Sequence, residues 1–273
     1  MSDFSKLSAD LPHEQQAIRS KCFHPTGTFV EFKKEDVEKS IPDRFEKIAR
    51  DYPDRIAVKA GEQLLTFDAL NKMANRIARA IYNERGAKSE PMALISQHPL
   101  NGIASCFGIL KAGKILIVVD PSFPFERVAA MIENSEGGAI VTDSNHLSLA
   151  RSLAKNERQV IHIDALDSHL SETNLRLQIT PDAPAQIVYS SGSTGEPKGI
   201  YFNHRRILHD IMTEINGARF CPDDRIIQFR KLSFGAGIRV AFWALLSGAA
   251  MVHYDINTEG LTKLAGFLNE AKI

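Results

Sequence analysis

The chain has 273 residues, of which 44% are hydrophobic and 24% charged, enough apolar material for one large core or two modest ones. Lys plus Arg and Asp plus Glu each number 33, and this zero formal charge argues against nucleic acid or an anionic membrane surface as the main partner. The 3 cysteines, Cys22, Cys106 and Cys221, lie far apart with no CxxC pair, so they read as reduced thiols of a cytoplasmic protein rather than a disulfide framework.

The N-terminus, MSDFSKLSADLPHEQQ, lacks the charged start and apolar stretch of a signal peptide. The longest apolar run, 241–252, is too short to span a bilayer and is broken by Ser247 and Gly248, so no membrane partner is expected. Residues 1–40 are polar with little periodicity. They read as an N-terminal extension, either wrapping the domain or forming a partly ordered tail.

From residue 41 the pattern sharpens. Ile41, Phe45, Ile48 and Ala49 fall at helical spacing, and Tyr52-Pro53-Asp54 ends that helix. IAVKA and QLLTF read as strands around Gly61-Glu62. Phe67, Leu70, Ala74, Ile77 and Ile81 stripe a long helix with Thr66 as N-cap. Strand MALIS, a helix ending at Gly113, strand KILIVV, a helix over 126–136, strand AIVTD, a helix over 147–155 and strand QVIHI follow. The alternation predicts an α/β fold of mostly parallel sheets covered by helices.

The polar stretch 164–184 is a candidate boundary. It divides a first α/β subdomain, 41–180, from the start of a second, 181–273. The second part reads as strand AQIVY, a Gly-rich loop, a helix near 204–216, strand RIIQF, a helix near 238–247, strand AAMVHY and a final helix over 258–271. That helix has no strand after it to receive the crossover, so the sequence is expected to be cut there.

The loop Tyr189-Ser190-Ser191-Gly192-Ser193-Thr194-Gly195-Glu196-Pro197-Lys198-Gly199 carries the chemistry. Its glycines let the backbone approach a ligand, its hydroxyls donate, and Lys198 adds a mobile cation. Converging N–H, O–H and ammonium groups suit a polyphosphate. The loop is not a GxxxxGK[ST] phosphate loop, a GxGxxG dinucleotide turn or a GxSxG nucleophile elbow. Composition alone would favour a flexible Ser/Gly linker; the apolar strand ahead and the Pro-Lys-Gly end weaken that reading.

The segment resembles the phosphate loop of the adenylate-forming superfamily, which includes acyl-CoA synthetases, luciferases and peptide-synthetase adenylation domains. It departs from that pattern only at Ser190, where Thr is usual. LTFDALNKMANRIARAI resembles the family's first motif, and KLSFGAGIRVAFWALLSGAAMV its fourth. LKAGKILIVVDPSFPFERVAAMIENS, with Asp120-Pro121, Pro124 and Glu126-Arg127, is most similar to the peptide-synthetase members.

The resemblance implies the N-terminal part of an ATP-dependent ligase. Carboxylate and ATP would give an acyl-adenylate and pyrophosphate, and the acyl group would pass to the phosphopantetheine thiol of a carrier protein or to CoA. Ser191, Gly192, Ser193, Thr194, Gly195, Lys198 and Gly199 would hold the ATP phosphates. His204, Phe234 and Gly235 would border the acyl-substrate pocket, although His204 also fits a capped surface histidine. Mg2+ would share the phosphate charge, through a ligand this chain does not contain.

Two departures from the family matter. Members that activate α-amino acids usually carry Asp after the fourth motif's Phe to pair the ammonium; Phe234 is followed by Gly235. A buried, unpaired ammonium is costly, so a fatty, hydroxy, keto or aryl acid is expected. The family's Mg2+, adenine and ribose motifs and its late lysine have no counterpart, so the chain alone is expected to be inactive. The alternative is a non-catalytic, truncated interaction module or a decayed fragment of such an enzyme.

Overall fold

The computed structural model describes residues 12–155, 157–191 and 197–273. Helix α1 (His13–Ser20) is largely exposed, but the chain after it docks. Phe32 and Val37 are buried, the Arg44 guanidinium lies 4.0 Å over the Phe32 ring, and the Phe32 backbone exchanges two hydrogen bonds with the Asn216 amide. Helix α2 (Ile41–Asp51) opens on a capping box in which Ser40 and Asp43 satisfy each other's backbone N–H groups.

Strands β1 (Ile56–Ala60) and β2 (Gln63–Thr66) form a hairpin turned by Gly61 at φ 57°. Helix α3 (Phe67–Arg85) starts at Thr66, whose side chain accepts from Ala69 N, as its sequence predicts. The alternating run follows as β3 (Pro91–Ile95), α4 (Pro99–Lys111), β4 (Ile115–Val119), α5 (Phe125–Asn134), β5 (Ala139–Thr142), α6 (Leu147–Ala154) and β6 (Gln159–His162). Then come β7 (Pro184–Ser191), β8 (Pro197–Asn203), α7 (His204–Ala218), β9 (Arg225–Gln228), α8 (Gly235–Ser247), β10 (Ala250–His253), α9 (Ile256–Glu259) and α10 (Leu264–Ala271).

Two sheets result, one ordered β2-β1-β10-β9 and the other β6-β5-β3-β4-β7-β8. Every pairing is parallel except the hairpins β1–β2 and β7–β8. Residues of α2, α3, α4, α7 and α8 pack with one face of the larger sheet and with β1 and β10 in one core; α5 and α6 cover the other face in a second. Phe45, Phe107 and Phe242 form an aromatic chain through the first core, at 3.9 Å and 5.8 Å between ring centroids. Gly108 lets α3 and α4 close, since a Cβ there would lie 2.6 Å from Ile77 Cγ2.

The structure differs from the sequence expectations in three places. The division at residue 181 does not separate the sheets, because each takes strands from both sides of it. Residues 197–199, at the end of the Gly-rich loop read from sequence, open strand β8: Pro-Lys-Gly disfavours a strand, and pairing with β7 overrides that preference. The final helix is two helices, broken at Gly260, which adopts φ 74°.

Candidate active site

The Gly-rich segment joins two paired strands at the carboxyl end of the larger sheet. Ser190 pairs with Lys198 and Ser191 with Pro197 in the hairpin ladder. Gly192, Ser193, Thr194 and Gly195 lie outside the described residues, and Ser191 is described by its backbone alone. Lys198 is exposed. Gly199 lies opposite Tyr189, and a Cβ on it would sit 2.9 Å from Ile187 Cγ2 and 3.2 Å from the Tyr189 ring, so the ring needs a glycine opposite it. The Tyr189 hydroxyl reaches Met131 O at 2.9 Å and Asn134 Oδ1 at 3.0 Å, which ties the end of β7 to α5.

Strands β4 and β7 pair at Leu116 and Gln186. Beyond that pair a cavity of about 270 Å3 opens between Val118 and Val188, reaching Arg127, Tyr189, Phe234 and Gly235. A second cavity, about 310 Å3, shares Gln186, Val188 and Gly235 with the first and continues between Phe202, Ile207, Ile211 and Phe242. Gly235 therefore sits at the junction of the two cavities, and Phe234 borders the first. A Cβ at Gly235 would meet only Val188 Cγ1, at 3.6 Å, so packing does not demand glycine there.

The loop that delivers α8 to this junction is held from both sheets. Asp120, at the end of β4 and 2% exposed, accepts from Ser122 N at 2.9 Å and pairs with Lys231 Nζ at 3.0 Å. Burial acts to raise the Asp120 carboxyl, but the bonds from Ser122 and Lys231 outweigh it and hold it below the ordinary carboxylate value. Gln228 donates to Arg230 O, and the Lys231 carbonyl folds onto the first turn of α8 where a Cβ at Gly237 would collide with it. A third cavity, about 230 Å3, lies against the other side of this loop, between the ends of β4 and β10.

His204 is not at the junction and lines none of these cavities. It is 1% exposed, and its Nδ1 accepts from Ile41 N at 3.2 Å, bracing the start of α2. Burial depresses its pKa from 6.5 to about 4, so the ring is neutral at pH 7. The sequence reading missed three groups that the fold brings to the site: Gln186, Arg127 and the Asp120–Lys231 pair. Asp120 and Arg127 stand in quoted motifs, but no spacing signals that Lys231, 111 residues on, closes on Asp120.

A family described as AMP-binding enzyme matches residues 45–273. Tyrocidine synthase 3 of Brevibacillus parabrevis is 29% identical over 89% of this chain, which spans 4% of that protein. Surfactin synthase subunit 2 of Bacillus subtilis (strain 168) is 32% identical over 84% of the chain, spanning 6% of it. Among solved structures, the nonribosomal peptide synthetase FmoA3 in its AMPPNP-bound form is 25% identical, with TM-score 0.71, covering 89% of this chain and 25% of that one. The Klebsiella oxytoca NpsA N-terminal subdomain, in complex with 3-hydroxybenzoyl-AMSN, shares the fold at TM-score 0.76 and 20% identity, covering 88% of this chain and 60% of that one.

Proposed function

The chain belongs to the AMP-binding enzyme family, and on that basis we propose that it is the N-terminal part of an enzyme that activates a carboxylic acid with ATP. A carboxylate oxygen attacks the α-phosphorus of ATP, the bond to the bridging oxygen breaks, and pyrophosphate leaves. Ser191 to Gly195, Lys198 and Gly199 hold the leaving β- and γ-phosphates. Such a displacement needs positioning and charge stabilisation more than covalent help from the protein. The observation that carries the reading is the hydroxyl-, glycine- and lysine-bearing sequence between two paired strands, the first of which borders two adjoining cavities.

Mg2+ would share the charge of the phosphates when ATP is bound. In a second step a thiol, giving up its proton, attacks the acyl carbon, the bond to the adenylate oxygen breaks, and AMP leaves as the thioester forms. The likeness of DPSFPFER to peptide-synthetase members supports a carrier protein's phosphopantetheine over CoA. The acid has no α-ammonium, because position 235 is glycine, no acidic side chain among the described residues borders the cavity beside Tyr189, and Asp210 in the adjoining cavity is already paired with Arg206.

Calorimetry with MgATP and paired acids tests this. The chain by itself should bind MgATP weakly, because the groups assigned so far reach the phosphates and the acid but not the base or ribose. Binding should tighten with 3-phenylpropionate and not with L-phenylalanine, which differs by the ammonium alone. Preference for the amino acid would defeat the substrate assignment. Micromolar MgATP affinity without any acid would defeat the limited role given to this chain.

A further inference from the structure

Gln186 is 7% exposed and lines both cavities, and its side-chain amide has no hydrogen-bond partner among the described residues. Its amide atoms are not sealed from water, so the cavity leaves them open to bond a ligand. At the same junction begins α8, a helix of 13 residues whose N-cap, Phe234, supplies no side-chain bond. The N–H groups of Gly235 and Ala236 have no backbone partner among the described residues, whereas those of Gly237 and Ile238 bond to Phe234 O. Unpaired N–H groups and the helix dipole favour an anion at this end.

The charges agree with this. The cavity beside Tyr189 is bordered by Arg127 and by no acidic side chain. The neighbouring cavity has one, Asp210, whose carboxylate pairs with Arg206 at 3.3 Å. The wall also carries Arg239, paired with Glu214 at 3.6 Å, and is otherwise largely apolar, with Phe202, Ile207, Ile211 and Phe242. Its volume, about 310 Å3, lies at the small end of ligand pockets.

We infer that Gln186 anchors the acid substrate: its amide NH2 and the free N–H groups at the start of α8 receive the carboxylate, while a compact, uncharged aryl or branched tail fills the apolar cavity. The inference rests on the proposed function for its setting and adds the residue that reads the acid. It places the carboxylate on the side of the junction that opens toward Tyr189 and the proposed phosphate segment. Gln186 is thus a specificity residue: its amide donates to an anion, and a carboxylate in its place would repel one.

The test is binding of 3-phenylpropionate and of the uncharged 3-phenylpropanol to the 273-residue chain, without ATP, in wild type, Gln186→Glu and Gln186→Met. Wild type should prefer the acid by about tenfold or more, the worth of a charge-assisted hydrogen bond. Gln186→Glu should abolish the preference and keep the alcohol, which shows that the cavity is intact. If that variant loses both ligands, Gln186→Met decides by the same ratio. Wild type that binds neither compound or treats them alike, or variants that keep the preference, overturns the inference. A chain that prefers the acid but shows no MgATP binding at all in the separate calorimetry defeats the phosphate role given to residues 191–199 and leaves the anchor standing. A chain that binds ATP yet ignores the carboxylate does the reverse.

Discussion

His204 illustrates how one side chain can serve the fold where the sequence suggested a role in the pocket. Its neutral ring holds the first N–H of α2. Protonation would place a charge in the core and turn the acceptor into a donor facing another donor. The folded-state pKa is about 4 against an ordinary 6.5, so between these values the unfolded chain binds the extra proton. The stability His204 confers is therefore complete above about pH 6.5 and falls as pH drops toward 4. The loss is on the order of 3 kcal/mol at 1.36 kcal/mol per pH unit. Urea unfolding between pH 7 and 4.5 should show a steeper loss in wild type than in His204→Gln; parallel curves would contradict the assignment.

At the scale of elements, α8 depends on the loop before it. That loop is clamped by Asp120 through Lys231 and packed against α8 at Gly237, where no side chain fits. Gly237→Ala must push the Lys231 carbonyl away, and overpacking of this kind costs about 1–3 kcal/mol. The variant should lose that much stability and also bind 3-phenylpropionate more weakly, because the start of α8 moves. Unchanged stability and affinity would show that the loop yields without consequence.

Most elements were legible because their signals are local. Thr66 caps α3 as its sequence predicts, and the apolar run 115–119 is a buried strand. Strand β8 was not legible, since Pro197, Lys198 and Gly199 are poor strand residues paired by a distant requirement. Gln186 was not legible either. In AQIVY it reads as one polar residue in an apolar strand, and only the separation of β4 from β7 turns it toward a cavity.

The whole molecule is interlocked rather than sequential. Strands β1 and β2 need β9 and β10 to complete the smaller sheet, and β3 to β6 need β7 and β8 to complete the larger. The candidate site arises from that interlocking. Asp120 comes from one sheet, the loop before α8 from the other, and Tyr189, near the end of β7, borders the same junction. The motifs that carry the family resemblance are mostly the parts that build this arrangement; the groups proposed to touch ligand are few.

The central claim is that the segment from Ser190 to Gly199 receives the phosphates of ATP. Amide chemical shifts of the isotopically labelled chain, titrated with inorganic tripolyphosphate, test it without the rest of the nucleotide. The account predicts saturable shifts concentrated in residues 190–199, weakened about tenfold in Lys198→Ala through loss of a charge-assisted bond. Shifts scattered over other basic surfaces, or an affinity indifferent to Lys198, would contradict it.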